Sequence, residues 1–342
     1  MMEQVALEVA WRDPFSDAPV EGDAAFQRAV LEKRAGVRML LAQNADFGAR
    51  AWEHFLRNVR EQVLPASGLD GAFVGTPAIV VGAGPSLVES REAIRNLRDR
   101  ALILAGGAAI PLVPEAHMGA LIDPEVPIAW AQGRKMPLFY QHRVAPEALE
   151  VWEGETLWVP DTSGFPLEEW WCGSGRFASG WTVTSLLVEQ ARRMGCAPIY
   201  LVGVDLVYGA DKYPGLASHE KRIDKIEVDG VTTQRDWLLE ARWLERCGAP
   251  LIRVGGGLPL AIPHGALQGG KGCDVAAAVA RIAPVQWPWR LDELLQALEG
   301  DDLVEPVWRV WAPLFPGDPE LHRHLFLERV RRELRGVCER ML

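Results

Sequence analysis

A chain of 342 residues, 49% of them hydrophobic, can bury a large core; at roughly 100 to 200 residues per domain it makes one large α/β unit or two smaller ones. Its 36 Lys and Arg against 46 Asp and Glu leave a formal charge of −10, which repels phosphate backbones and excludes nucleic acid as the main partner. The five cysteines (Cys172, Cys196, Cys247, Cys273, Cys338) are scattered and form no Cys-x-x-Cys pair, so neither a disulfide framework nor a zinc cluster is expected.

The first residues carry Glu3, Glu8, Asp13, Asp17, Glu21 and Asp23, where a secretory signal would be basic and then apolar. No apolar run reaches the roughly 18 residues of a membrane span. The expectation is a cytoplasmic protein with no membrane contact. Residues 1–74 have apolar positions at helical spacing through Phe26–Leu41 and Trp52–Val63, and read as a helical N-terminal extension.

From Gly75 the pattern changes. Short apolar runs at Ala78–Val81, Ala101–Ala105, Ala120–Ile122, Pro137–Tyr140, Thr156–Val159, Ile199–Val202 and Leu251–Val254 alternate with helical stretches, notably Leu87–Leu97, Thr182–Met194 and Arg235–Cys247. This predicts a Rossmann-like, mainly parallel α/β sheet with helices on both faces over residues 75–282. Two prolines in Ala283–Pro288 end it, and 283–342 is expected to be a helical C-terminal extension. In Glu320–Met341, the residues Leu327, Val330, Leu334, Val337 and Met341 form one apolar stripe, suited to docking on the chain's own core or to a homodimer. Most of the 14 tryptophans are expected to be packing.

The segment TPAIVVGAGPSLVE (76–89) runs a buried strand into a glycine-rich turn and then a helix. Glycine permits a tight turn and close approach of a ligand. Ser86 with Glu89 reads as a capping box whose free N–H groups would receive phosphate, making Gly82, Gly84, Pro85 and Ser86 a candidate anion site. On this reading Gly84→Val weakens nucleotide binding more than folding. Two familiar phosphate motifs do not match. Leu87 stands where a dinucleotide fingerprint needs a small residue, Ala105-Gly106-Gly107 ends the next strand without an acid, and Gly270-Lys271 is followed by Gly272 rather than Ser or Thr. Gly107, at that strand end, joins the candidate phosphate-binding set.

A second candidate anion site is Ala178–Ser185, small and hydroxyl residues before a helix, with Ser179, Gly180 and Thr182 as binding candidates. Asp205 follows the strand Ile199–Val202, and Asp123 follows Ala120–Ile122, so both are expected at carboxyl-end strand tips, where open α/β sheets bind ligands. Each is a candidate for a ribose hydroxyl or a magnesium ion, and Asp205 for a catalytic proton. Tyr208, Tyr213 and His219 follow on a loop and are candidate polar contacts, with His219 able to titrate near neutrality.

Together PAIVVGAGPSL (77–87), the LILAGGAAIPLV run with its later LIDPE (102–125) and SGWTVTSLLVEQARRMGCAPIYLVGVDL (179–206) resemble the central domain of the bacterial motility accessory factors and the 6-hydroxymethylpterin diphosphokinases of the same superfamily. The helical start with Asn58 in HFLRNVREQ is similar to the lead-in of the former. The resemblance implies a glycosyltransferase using a nucleotide-sugar of the nonulosonic or sialic-acid type, with a protein or small-molecule acceptor. It also brings a likeness to bacterial sialyltransferases. In that likeness Gly82, Gly84, Pro85 and Ser86 line the phosphate site, Ser179 and Gly180 face the nucleotide, Asp205 lies beside it and Tyr213 reaches the leaving phosphate. Val207 and Val231-Thr232-Thr233 stand where those enzymes have a second tyrosine and a histidine base. The pterin relatives imply instead pyrophosphoryl transfer from ATP with magnesium. A nucleotide-binding scaffold without catalysis is the third reading.

Overall fold

The computed structural model describes residues 50–59, 62–160, 166–173, 177, 180–209, 225–228, 230–312 and 320–342. After a helix at 50–58 (α1), the chain runs β1 (Gln62–Pro65), β2 (Ala78–Val81), α2 (Leu87–Asn96), β3 (Leu102–Gly106), β4 (Met118–Leu121), α3 (Ile128–Ala131), β5 (Leu138–Tyr140), α4 (Pro146–Glu150) and β6 (Thr156–Trp158). There follow α5 (Pro166–Cys172), α6 (Val183–Arg193), β7 (Ile199–Val202), a hairpin of β8 (Lys225–Val228) and β9 (Val231–Gln234), α7 (Arg235–Arg246) and β10 (Leu251–Val254). The last elements are α8 (Val275–Val279), β11 (Val285–Gln286), α9 (Leu291–Ala297), α10 (Glu305–Trp311) and α11 (Glu320–Glu339).

Nine strands form one sheet in the order β10-β7-β2-β3-β4-β5-β6-β1-β11. All neighbours are parallel except β1 with β11. From β2 the chain adds strands on one side up to β6, then returns through α6 to place β7 on the other side. The order therefore reverses between β2 and β7, and that reversal opens a crevice at the carboxyl edge.

The expected α/β class holds, because each central strand is apolar on both faces. Ile79 and Val81 of β2 join one core, and Ala78 and Val80 the other. Helix α6, with α7 and α8, covers the second face through Leu186, Leu187, Ala241, Leu244 and Val279. The first face is covered by α1, α2, α9 and α11 through Trp52, Phe55, Leu87, Leu294, Leu327 and Leu334. A parallel sheet buried on both sides requires this. The stripe on α11 thus docks on the chain's own core. Trp52, Trp152, Trp158, Trp171, Trp287 and Trp308 are buried, as packing residues.

The sheet differs from expectation at its far edge. Both β1 and β11 come from segments that read as helical, one inside Trp52–Val63 and its sequel, the other beside the prolines. Strands of two to four residues are too short to show a period, and only the partner strand selects them. The β8–β9 hairpin is also absent from the sequence reading, since VTTQ carries no alternation of apolar and polar residues. Phe26–Leu41 lies outside the described residues. Among the described residues no helix is long and apolar enough to cross a membrane.

Candidate functional site

Three glycine-bearing strand tips meet at the crevice. Gly82 of the β2 tip packs on Gly203 of the β7 tip so closely that a Cβ on either would collide with the other's carbonyl oxygen. Gly255 and Gly257 follow β10 with φ of +99° and +106°, a region open essentially to glycine. A Cβ on Gly255 would lie 2.6 Å from Ser86 Oγ, and one on Gly257 would strike the Asp205 backbone. The tips are therefore mutually fitted, and β10 belongs to the site. Three successive glycines after the strand Leu251–Val254 were its sequence signal, by the same logic that singled out Gly82.

Asp205 sits at the centre, 3% exposed. Its Oδ2 accepts the Ser86 N–H at 2.7 Å and its Oδ1 accepts the Ser86 hydroxyl at 2.5 Å. The expected capping box is not formed. Ser86 already has helical torsions and makes no side-chain cap bond, because its hydroxyl donates to Asp205 instead of accepting from the helix. Three further amides at this turn are also used: Gly82 N to Val202 O, Gly84 N to Gly203 O and Leu87 N to Gly84 O. In this conformation the β2 turn is latched to β7, and an anion there must displace Asp205. Gly84 is needed for the latch, since a Cβ would lie 2.6 Å from Asp205 Oδ2 and 2.7 Å from Gly203 O. Gly84→Val, expected to weaken nucleotide binding more than folding, therefore also burdens the fold, because the added side chain meets the protein itself.

Behind Asp205, Arg253 is buried on β10 and donates to the carbonyls of Leu258, at 2.5 Å, and Gly256. Burial lowers its pKa, and the Asp205 carboxylate opposes that shift. Leu206 has φ of +54°, unusual for a branched residue. Its carbonyl accepts the Thr233 hydroxyl at 2.6 Å, while the Asp205 carbonyl accepts from Leu258 N. Thr233, of the Val231-Thr232-Thr233 segment, thus braces the Asp205 turn.

The second expected anion site lies at the start of α6, beside the β3 tip. A Cβ on Gly106 would meet Val183 Cγ1 at 2.8 Å, and one on Gly107 would lie 3.7 Å from it. Thr182 caps α6 by accepting from Thr184 N, and Ser185 completes the capping box. Glu240 of α7, fully buried, reaches under this start and accepts the Trp181 N–H at 2.9 Å. A Cβ on Gly180 would lie 2.9 Å from Glu240 Oε2, so glycine there admits the carboxylate. Burial pushes the Glu240 pKa up to about 7, against the Trp181 N–H and the polar groups of nearby Ser185 and Thr182, which lower it. The sequence reading missed Glu240. It lies mid-helix in LLEARWLER with no local sign that it faces another helix start.

The structure thus brings Gly82, Gly84, Pro85, Ser86 and Asp205 together, and sets Gly107 beside the start of α6 that carries Gly180 and Thr182. Asp123 is not brought to Asp205. Their strands are three places apart, roughly 14 Å across the sheet; Asp123 is exposed and its Oδ1 accepts Glu125 N at 2.9 Å as a local turn. The two carboxylates do not make a shared magnesium site in this conformation, and no cluster of three or more His, Cys, Asp or Glu suits a metal among the described residues. Tyr208 lies against Trp237 and under Lys225, bonded to Gln234. Ser179, Tyr213 and His219 lie outside the described residues.

A mainly parallel sheet whose glycine-bearing tips converge at its reversal point defines an α/β protein of the kind that takes small ligands at its carboxyl edge. Residues 53–211 match the family model described as 6-hydroxymethylpterin diphosphokinase MptE-like. The MAf glycosyltransferase of Magnetospirillum magneticum AMB-1 has a similar structure, with a TM-score of 0.55 at 16% identity, over 99% of this chain and 67% of that one. No curated protein matches. The family match agrees with the pterin-enzyme side of the resemblance, whose three motifs lie inside this stretch, and the solved structure agrees with its fold.

Proposed function

We propose that this chain is a transferase that binds a nucleotide-activated donor at the crevice between β2 and β7, and that it acts as a glycosyltransferase on a nucleotide-sugar of the nonulosonic type. The observation that carries this reading is the convergence of the β2, β7 and β10 tips with the start of α6, inside a fold similar to that of a MAf glycosyltransferase. Gly180 and Thr182 then border the nucleotide, and Asp205 controls access to the Ser86 amide. Tyr213 and His219 are the remaining catalytic candidates. The acceptor is a protein or a small molecule, and the work is done in the cytoplasm.

Thermal shift with a nucleotide panel, with and without magnesium, tests the proposal. Cytidine nucleotides stabilising the protein without metal, followed by turnover of a cytidine-activated sugar, is the expected result. The family match favours a second reading, pyrophosphoryl transfer to a pterin, which ATP and magnesium acting together would support. Binding of a nucleotide with no turnover of any donor would leave a scaffold. No stabilisation by any nucleotide would overturn the proposal.

A further inference from the structure

Glu240 combines three features that a purely structural carboxylate seldom has together. It is fully buried, one oxygen holds the Trp181 N–H, and the other, Oε1, has no hydrogen-bond partner. It faces the start of α6, an 11-residue helix whose N-terminal dipole favours negative charge. The groups that shift it are hydroxyls and backbone N–H groups of Trp181, Thr182 and Ser185, with no charged partner among them. Cys247, just past the end of the same helix, is raised by burial and feels both Glu189 and Glu240, while Glu189 is paired with Arg192. No cation therefore fixes Glu240 in its charged form among the described residues.

We propose that Glu240 is the positioning residue that governs anion uptake at the start of α6: as a carboxylate it occupies that positive end and repels a second negative group, and as a carboxylic acid it releases the end to the ligand. This rests on the nucleotide reading above. An anion bound at Gly180–Thr182 raises the proton affinity of Glu240, so binding draws a proton onto it. By reciprocity, protonation strengthens binding. Because the pKa lies at about 7, affinity rises as pH falls through neutrality and levels off below it. The limiting slope for one linked proton is about tenfold per pH unit.

The test measures affinity for cytidine- and uridine-activated sugars between pH 6 and 8.5, a range in which their phosphates keep constant charge. The parent protein is expected to lose affinity toward the limiting slope above pH 7, and Glu240→Gln to bind with little pH dependence, since the amide oxygen still accepts Trp181 N–H. Calorimetry of the parent in two buffers of different ionisation enthalpy should show uptake of up to one proton at pH 7.5, and this holds even if the variant folds poorly. A parent that binds without pH dependence or proton uptake, or a folded Glu240→Gln that keeps the slope, would overturn the inference and leave the nucleotide reading standing. A parent that binds no nucleotide-sugar at any pH would overturn both. The ligand-free pH dependence of unfolding would then still show whether Glu240 titrates.

Discussion

The two helix starts at the crevice receive a buried carboxylate from another part of the chain, yet they are built for different behaviour. At α2, Asp205 spends both oxygens on one residue, Ser86, with Arg253 close enough to be felt. At α6, Glu240 has one bonded oxygen, one unpartnered oxygen and no charged neighbour that shifts it. Hydrogen bonds to a charged group favour the charge, and burial without them disfavours it. One carboxylate is thus spent as a latch, and the other keeps a free oxygen and is raised by its burial.

The sharpest way to break this comparison is Asp205→Ala. It orphans the Ser86 N–H and removes the carboxylate that opposes the desolvation of Arg253, and should cost up to about 3 kcal/mol by urea unfolding. Asp205→Asn, which can accept from the amide and donate to the hydroxyl, should cost distinctly less. If the two variants are equally stable, Asp205 is no latch.

Glu240→Gln should act in the opposite direction. A carboxyl whose folded pKa stands above its unfolded value is favoured in the fold only while protonated. The penalty is absent below the unfolded value of 4.5 and complete above about 7. A shift of this size corresponds to about 3 kcal/mol, so at pH 8 the variant should be the more stable protein by about that amount, with the gap closing toward pH 4.5. Unfolding curves at the two pH values check it, and a gap independent of pH would contradict it.

Smaller effects separate the glycines. Gly84→Ala places a Cβ against a backbone carbonyl and the Asp205 carboxylate, and overpacking of this kind costs about 2 kcal/mol. At Gly256, which is exposed, an added Cβ would meet nothing within 4 Å. Gly256→Ala should change stability by less than about 0.5 kcal/mol. Should it nevertheless weaken nucleotide binding, the β10 tip would be a ligand contact as well as a packing surface.

By itself the sequence determined the class of fold and most of its central strands. An all-apolar run such as Ile199–Val202 between helices has no stable place except a sheet covered on both sides, and a glycine-rich turn after such a run marks a strand tip. It also marked Gly82–Ser86 and Asp205 as residues of one edge. Only the tertiary structure decided that Asp205 meets Ser86, that Glu240 of α7 lies beneath Gly180, that the β10 glycines complete the crevice, and that β1 and β11 close the far side of the sheet. Those pairings join residues 119 and 59 positions apart in the first two cases. A hydrogen bond across such a separation depends on which helix covers which face and which strand lies next to which. No local period or motif records it, and here it is what turns two expected phosphate sites into two carboxylate-held helix starts.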